Sequence, residues 1–416
     1  MDHTTAFVYL AIAAGFYMAW AIGANDVANA MGTSVGSRAL TLRQAVVVAA
    51  IFEFAGAVFA GGNVTETIRK GIVDPAAVAA NPQYLIFGML AALLAAGTWL
   101  ILATRAGWPV STSHTIVGAV VGFAVVGLGP DAVHWPKVGQ IAASWVTSPL
   151  VAGGIAFVLF TVVRRTILEQ EDPFARARRY GPFYIFVVFL ILGLLTAFEG
   201  LKHLNIDLSV GQAVAVAVAI GLTAALIGAA FIHRIHIDPE ADRDFHYANV
   251  ERIFAVLQIC TACSVAFAHG SNDVANAIGP LAAVVNVAAS GNVAQASPIP
   301  PWVMLLGAGG ILAGLAMWGY RIIETIGRKI TELTPTRGFA AEFSTATTIV
   351  VASLTGMPVS TTHTLVGAVL GVGLARGIGA LDLRVIGGIL VSWLITLPAG
   401  ALLASFFFFF FKGLFS

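Results

Sequence analysis

GANDVANAMG, residues 23–32, returns as GSNDVANAIG at residues 270–279, and PVSTSHTIVGAVVG at 109–122 returns as PVSTTHTLVGAVLG at 358–371. The offsets are 247 and 249 residues, and Ser144-Trp145 with Ser392-Trp393 continues the series at 248. Three matches in one order at nearly one offset identify an internal repeat. Whether the two copies face the same way depends on what the chain does between them.

Of 416 residues, 58% are apolar and 10% charged, against about 25% charged in an ordinary soluble domain. So much apolar surface cannot face water, and the available alternative solvent is a lipid bilayer. The chain therefore reads as an all-α polytopic membrane protein. A net charge of +1 offers no basic field to draw in nucleic acid. No basic stretch precedes the first apolar segment and no small-residue cleavage pattern follows it, so that segment is expected to be a retained span. Cys260 and Cys263 stand among small apolar residues with no further Cys or His at ligand spacing, and read as helix packers rather than a redox or metal pair.

Segments of about 20 predominantly apolar residues fall near 5–24, 43–61, 84–104, 113–129, 138–163, 183–201, 211–232, 251–270, 302–320, 340–356, 363–375 and 384–411, twelve in all. The first, fourth, eighth and eleventh are short or interrupted by glycine and proline. That predicts broken or re-entrant helices at the motifs, which survive at membrane depth only where protein or a watery cavity satisfies the backbone. With the N-terminus outside, the inner connections hold seventeen Lys and Arg residues, and the outer ones hold five: Arg69, Lys70, Lys137, Lys202 and Lys412. This bias supports about twelve transmembrane helices in a cell membrane, with both termini outside. Seven spans then separate the starts of the two copies, and an odd number turns one copy upside down relative to the other. The predicted architecture is an inverted-topology repeat of five plus five helices. Residues 1–163 form the first repeat; 164–250 hold a cytoplasmic linker, two intervening helices and a second linker; 251–416 form the second repeat. Such repeats build alternating-access carriers with a site near the midplane.

Asp26 and Asp273 would be costly in lipid and are expected to face a cavity with partners. Asn25, Asp26 and Asn29 cluster within about one helical turn, as do Asn272, Asp273 and Asn276. Carboxylate plus amide oxygens suit a small hard cation, although an Asp at a helix break can also serve as a cap. Na⁺ fits one carboxylate with several neutral oxygens; a proton would need the Asp alone. In the second motif a proline precedes hydroxyls and an imidazole: Ser111, Thr112, Ser113, His114 and, in the other copy, Ser360, Thr361, Thr362, His363. A Ser/Thr run after proline and before a Gly/Ala-rich segment reads as a helix N-terminus, whose free amides and dipole favour a tetrahedral oxyanion. The bland alternative is that these hydroxyls only cap. His114 and His363 are expected to be hydrogen-bond partners that fix the loops. Neither motif contains Lys or Arg, so an anion beside two aspartates needs countercharge, which bound cations would supply.

Glu53 and Glu342 fall within apolar segments without counterparts in the other copy, and a structural hydrogen bond and a place in the transport pathway are both open to them. Glu199, Lys202 and His203 read as an interfacial cluster. The phenylalanine run 406–411 reads as lipid-facing bulk.

The paired GANDVANA and GSNDVANA motifs, with PVSTSH and PVSTTH, resemble the signatures of the inorganic phosphate transporter (PiT) family, the type III sodium–phosphate cotransporters and their microbial relatives. The resemblance extends over essentially the whole chain. It implies a homodimeric transporter, not an enzyme, that moves inorganic phosphate with Na⁺ or H⁺ and needs no other cofactor. It places phosphate between the two copies, with Asp26 and Asp273 near the coupling ions and Ser111, Thr112, Ser360 and Thr361 on the oxyanion, where Ser113 and Thr362 adjoin them. It also places Glu53 and Glu342 where the family carries glutamates linked to transport. The short central linker departs from the long cytoplasmic loop of animal members. A sulfate permease of the same fold, a passive anion channel and an intramembrane enzyme acting on phosphate esters are the competing readings.

Overall fold

Apolar backbone without water must satisfy its own N–H and C=O groups, and the helix is the local solution. In the computed structural model, which describes residues 4–60, 71–79, 82–200, 208–238, 247–291, 299–320, 322, 333–377 and 383–415, the chain is almost wholly helical. The main helices are α1 (Thr4–Gly36), α2 (Leu42–Ala60), α3 (Pro82–Ala106), α4 (Thr112–Gly127), α5 (Trp135–Val163), α6 (Pro173–Leu195) and α7 (Val210–His233). They are followed by α8 (Ala248–Asp273), α9 (Ala275–Ser290), α10 (Pro301–Trp318), α11 (Pro335–Leu354), α12 (Thr361–Arg376) and α13 (Leu383–Phe415). Each of the twelve expected segments coincides with one of these, and among the described residues nine helical stretches are long and apolar enough to cross a bilayer.

The breaks differ between the motifs. At the second motif they are real: α3 stops ahead of Gly107 at φ 69° and α11 ahead of Gly356 at φ 65°. Left-handed backbone of this kind favours glycine. Pro109 and Pro358 then keep the chain extended, and α4 and α12 restart under Ser111 and Ser360 as N-caps. At the first motif the helix does not break: α1 runs through GANDVANAMG to Gly36, and α8 passes into α9 with a single-residue interruption at Val274, itself helical at φ −57°. No proline interrupts either aspartate's turn, and the Ala-rich stretch favours continuing the helix.

Small residues set the packing. A Cβ on Gly23 would collide with the carbonyl oxygen of Ile311, and one on Gly270 with that of Glu53. Likewise Gly118 lies against Leu397 and Gly367 against Pro149. Each contact has a counterpart in the other half, Gly118 and Gly367 with Pro149 and Leu397 at offsets of 249 and 248, Gly23 and Gly270 with Glu53 and Ile311 at 247 and 258, and each joins one half of the sequence to the other. Hence α1 packs on α10, α8 on α2, α4 on α13 and α12 on α5.

The two main cores follow this exchange. One gathers the first part of α1, α3, α4, α9, α10 and the end of α13. The other gathers the last part of α1, α2, α8, α11, α12 and the second half of α5. The sequence halves 1–163 and 251–416 therefore interlock instead of forming separate bodies. The α6–α7 pair packs through a smaller core against the start of α8.

Candidate functional site

The four motif segments meet where the two cores adjoin. One carboxylate oxygen each from Asp26 and Asp273 and a ring nitrogen of His269 lie within 4.8 Å of one another, all buried. Thr112, the first residue of α4, donates its hydroxyl to Asp26 Oδ2; Thr361, the first of α12, donates to Asp273 Oδ2 at 2.9 Å. Ser111 Oγ accepts from the His114 amide at 3.2 Å and Ser360 Oγ from the His363 amide at 3.1 Å. Ser113 Oγ crosses to the Val359 carbonyl at 2.9 Å, and Thr362 Oγ1 to the Val110 carbonyl at 3.3 Å, so each loop is tied to the other. Asn25 Nδ2 donates to Thr104 Oγ1 at 2.8 Å, and Asn272 Nδ2 to Ser353 Oγ at 3.3 Å, with the Trp108 and Met357 carbonyls beside them. Asn276 Nδ2 lies 3.5 Å from Ser113 Oγ. The side chain of Asn29 lies outside the described residues.

Two features of this arrangement bear on charge. The first-turn amides of α4 and α12 lie at the positive ends of their helices, with the His114 and His363 amides taken up by the Ser111 and Ser360 caps. They converge with the dipole ends of both helices, the arrangement that favours an anion. Conversely, Asn25 Oδ1, Asn272 Oδ1, Asn276 Oδ1, Asp273 Oδ1 and Glu53 Oε2 are buried acceptors without a hydrogen-bond donor, and Glu53 Oε1 has only His269 Nδ1 beside it, at 3.3 Å. A buried acceptor left alone costs about 1–3 kcal/mol. A group of oxygens in want of positive partners has the chemistry of a hard-cation site.

His269 is the residue that comparison of the motifs missed. Its Nδ1 lies 3.3 Å from Glu53 Oε1 and its Nε2 lies 2.9 Å from Asp273 Oδ2, linking α2 to the end of α8. The equivalent positions in the other half are Ile22 and Ile311, both buried in the first core. The signal was available in the sequence: a histidine four residues before Asp273 shares its helix face.

His114 and His363 meet edge to face with ring centroids 4.2 Å apart. Each lies over an indole, His114 on Trp145 at 3.7 Å and His363 on Trp393 at 3.4 Å. His363 Nδ1 faces the Trp145 carbonyl at 3.4 Å. That carbonyl is free because Pro149, four residues on, has no N–H to give it. The histidines thus brace the crossed loops.

Glu342 lies elsewhere in the second core. Its Oε1 accepts from Thr33 at 2.5 Å, Ser34 at 2.6 Å and Gln258 at 3.0 Å, and its Oε2 accepts from Thr261 at 2.7 Å. Thr33 is about 10 Å along α1 from Asp26. The equivalent positions of the other half are Leu93, Pro280, Leu281, Ala11 and Ala14, all buried. The same place in the fold is a polar knot in one core and hydrocarbon in the other.

A model of the phosphate transporter family matches residues 22–404. The chain is 46% identical over 413 residues to a candidate phosphate permease of Haemophilus influenzae, covering 98% of this chain and 97% of that one. It is 46% identical over 399 residues to another from Pyrococcus abyssi, with 96% of each chain covered. A solved structure of a sodium-dependent phosphate transporter superposes with a TM-score of 0.90 at 40% identity, covering 98% of this chain and 99% of that one.

Proposed function

The chain belongs to the phosphate transporter family, and on that footing we propose that it imports inorganic phosphate as a secondary active carrier, driven by a cation gradient with Na⁺ as the favoured coupling ion. The observation that carries the cation role is the group of buried, donor-less oxygens on Asn25, Asn272, Asn276, Asp273 and Glu53. Cations held there supply the positive charge that an oxyanion needs in a site without Lys or Arg. Phosphate is then held at the N-termini of α4 and α12 by first-turn amides and the hydroxyls of Ser111 and Ser360. The side chains of Thr112, Ser113, Thr361 and Thr362 are committed to aspartates and loop carbonyls in this arrangement, so they shape the pocket and orient Asp26 and Asp273. A protonated phosphate can donate to one of those carboxylates, whereas sulfate only accepts, and this favours phosphate over sulfate.

Movement follows from the exchange of helices. Two cores built alike, each from both halves of the sequence, meet at the crossed loops, and tilting one against the other would expose the site first on one side and then on the other. This is the alternating-access reading of an inverted repeat in the cell membrane. The similarity to a sodium-dependent transporter supports Na⁺ as the cargo cation.

A second coupling ion is favoured by one observation. His269 between Glu53 and Asp273 forms a row of exchangeable groups suited to a proton. Phosphate uptake into vesicles under imposed Na⁺ and H⁺ gradients, applied separately, tests both. Accumulation above equilibrium under the Na⁺ gradient alone is expected. Uptake indifferent to both gradients would make the protein a passive channel and defeat the proposal.

A further inference from the structure

A groove of about 720 Å³ opens on the membrane face between α6, α7 and α8, apart from the central site. Its walls include Phe189, Ala219, Thr223, Ile227, Phe231 and Cys260. It exists because α7 packs along α6 and makes few contacts with α8. Thr223 turns its hydroxyl onto the Ala219 carbonyl at 2.8 Å, so this wall presents hydrocarbon and no free donor. From Ala219 to Phe231 the groove follows α7 for about 18 Å at 1.5 Å per residue. That matches one leaflet, half of a hydrocarbon core about 30 Å thick.

The end of the groove is basic. Arg234 caps the C-terminus of α7 three residues beyond Phe231, about one turn past the end of the groove wall. Arg178 of α6 donates to His233 Nδ1 at 2.6 Å and to the His233 carbonyl at 3.0 Å, which holds a guanidinium at that end of α7. Among the described residues no carboxylate pairs with either arginine. Hydrocarbon one leaflet deep ending in two arginines is complementary to a single kind of molecule. We propose that this groove binds an anionic phospholipid, with an acyl chain along α7 and the headgroup phosphate on Arg178 and Arg234. A second copy of the chain fits the groove less well, because a twofold contact through this face would set the arginine-bearing ends against each other.

Native mass spectrometry of the full chain from nanodiscs holding equal phosphatidylglycerol and phosphatidylcholine tests this. Wild type should retain phosphatidylglycerol preferentially, and Arg234→Gln should reduce that preference about fivefold, the effect of one arginine near an anionic surface. Ala219→Phe with Thr223→Phe, both on the exposed wall, should lower retention of phosphatidylglycerol several-fold without lowering thermal stability. Cys260 gives a readout that needs no variant: a lipid-soluble maleimide should label delipidated protein faster than protein resupplied with phosphatidylglycerol. Equal retention of the two lipids by wild type, or unchanged retention by the groove-filling variant, would overturn the proposal. So would Cys260–Cys260 cross-linking between copies, which would assign the groove to a protein interface.

Discussion

Replacing Glu53 and His269 by the residues that occupy the equivalent positions of the other half tests whether this buried pair serves function at the expense of stability. The molecule already contains the apolar version, Ile22 and Ile311 in its first core. In His269→Ile alone, Glu53 loses the ring nitrogen beside its Oε1 and is left as a buried carboxylate with no donor on either oxygen. Stranding one member of a buried charged pair costs about 3–5 kcal/mol. Glu53→Ile alone is milder, because His269 keeps Asp273 at 2.9 Å, and about 1–3 kcal/mol is expected from the one lost contact. In the double variant no carboxylate is stranded on α2, while Asp273 loses His269 and keeps its bond from Thr361. Exchanging a buried ion pair for packed hydrophobic side chains is neutral or stabilising by about 1–4 kcal/mol. The double variant should therefore unfold well above His269→Ile and within about 1–3 kcal/mol of wild type, the cost of the lost Asp273 contact, with a favourable coupling toward the roughly 3 kcal/mol upper range for contacting residues. Thermal unfolding of the four purified proteins in one detergent reads this, and gradient-driven phosphate uptake in vesicles reads function, which the stable double variant should lose. A double variant as unstable as the sum of its singles would refute the reasoning. So would one that keeps full coupled uptake, which would remove the pair from the transport cycle.

Asp26→Asn and Asp273→Asn should each abolish cation-coupled uptake while expression stays normal, as measured by vesicle uptake normalised to protein; near-normal accumulation in both would contradict the cation role. Ser111→Ala with Ser360→Ala should weaken phosphate binding more than Na⁺ binding in calorimetry, with a loss of about 1 kcal/mol in stability per cap, and unchanged phosphate affinity would defeat the oxyanion assignment. Glu342→Ala strands the Gln258 amide and opens a small void, for a loss of about 3–5 kcal/mol in thermal unfolding, whereas Glu342→Gln keeps an acceptor for Thr33, Ser34 and Gln258 and should remain close to wild type. Equal destabilisation by the two substitutions would show that charge, not hydrogen bonding, holds the knot.

The motif residues were legible because their chemistry is written twice. Asp26 and Asp273, Thr112 and Thr361, and Ser113 and Thr362 make matching contacts, so comparing one copy with the other found them. The same comparison hid His269, which has no counterpart: Ile22 stands in its place. Glu342 was visible as a carboxylate in an apolar segment, but its donors Thr33, Ser34, Gln258 and Thr261 come from two other helices, and no spacing along the chain connects them. The continuous α1 was also misjudged. A first span read as short or interrupted by glycine and proline suggested a break, whereas Gly23 serves close approach to Ile311, a requirement set by another helix.

Sequence alone determined that the chain lives in lipid, that it is helical, that it carries one chemical block twice and which side chains that block offers. These properties follow from composition and local pattern, since every apolar backbone segment faces the same demand for internal hydrogen bonds. Only the tertiary structure decided that the halves exchange helices, that His269 stands between Glu53 and Asp273, and that one core is polar where its twin is dry. Apolar surfaces look alike to one another along a chain. Which of them meet is settled by the close contacts of small residues and by polar groups that find partners hundreds of positions away.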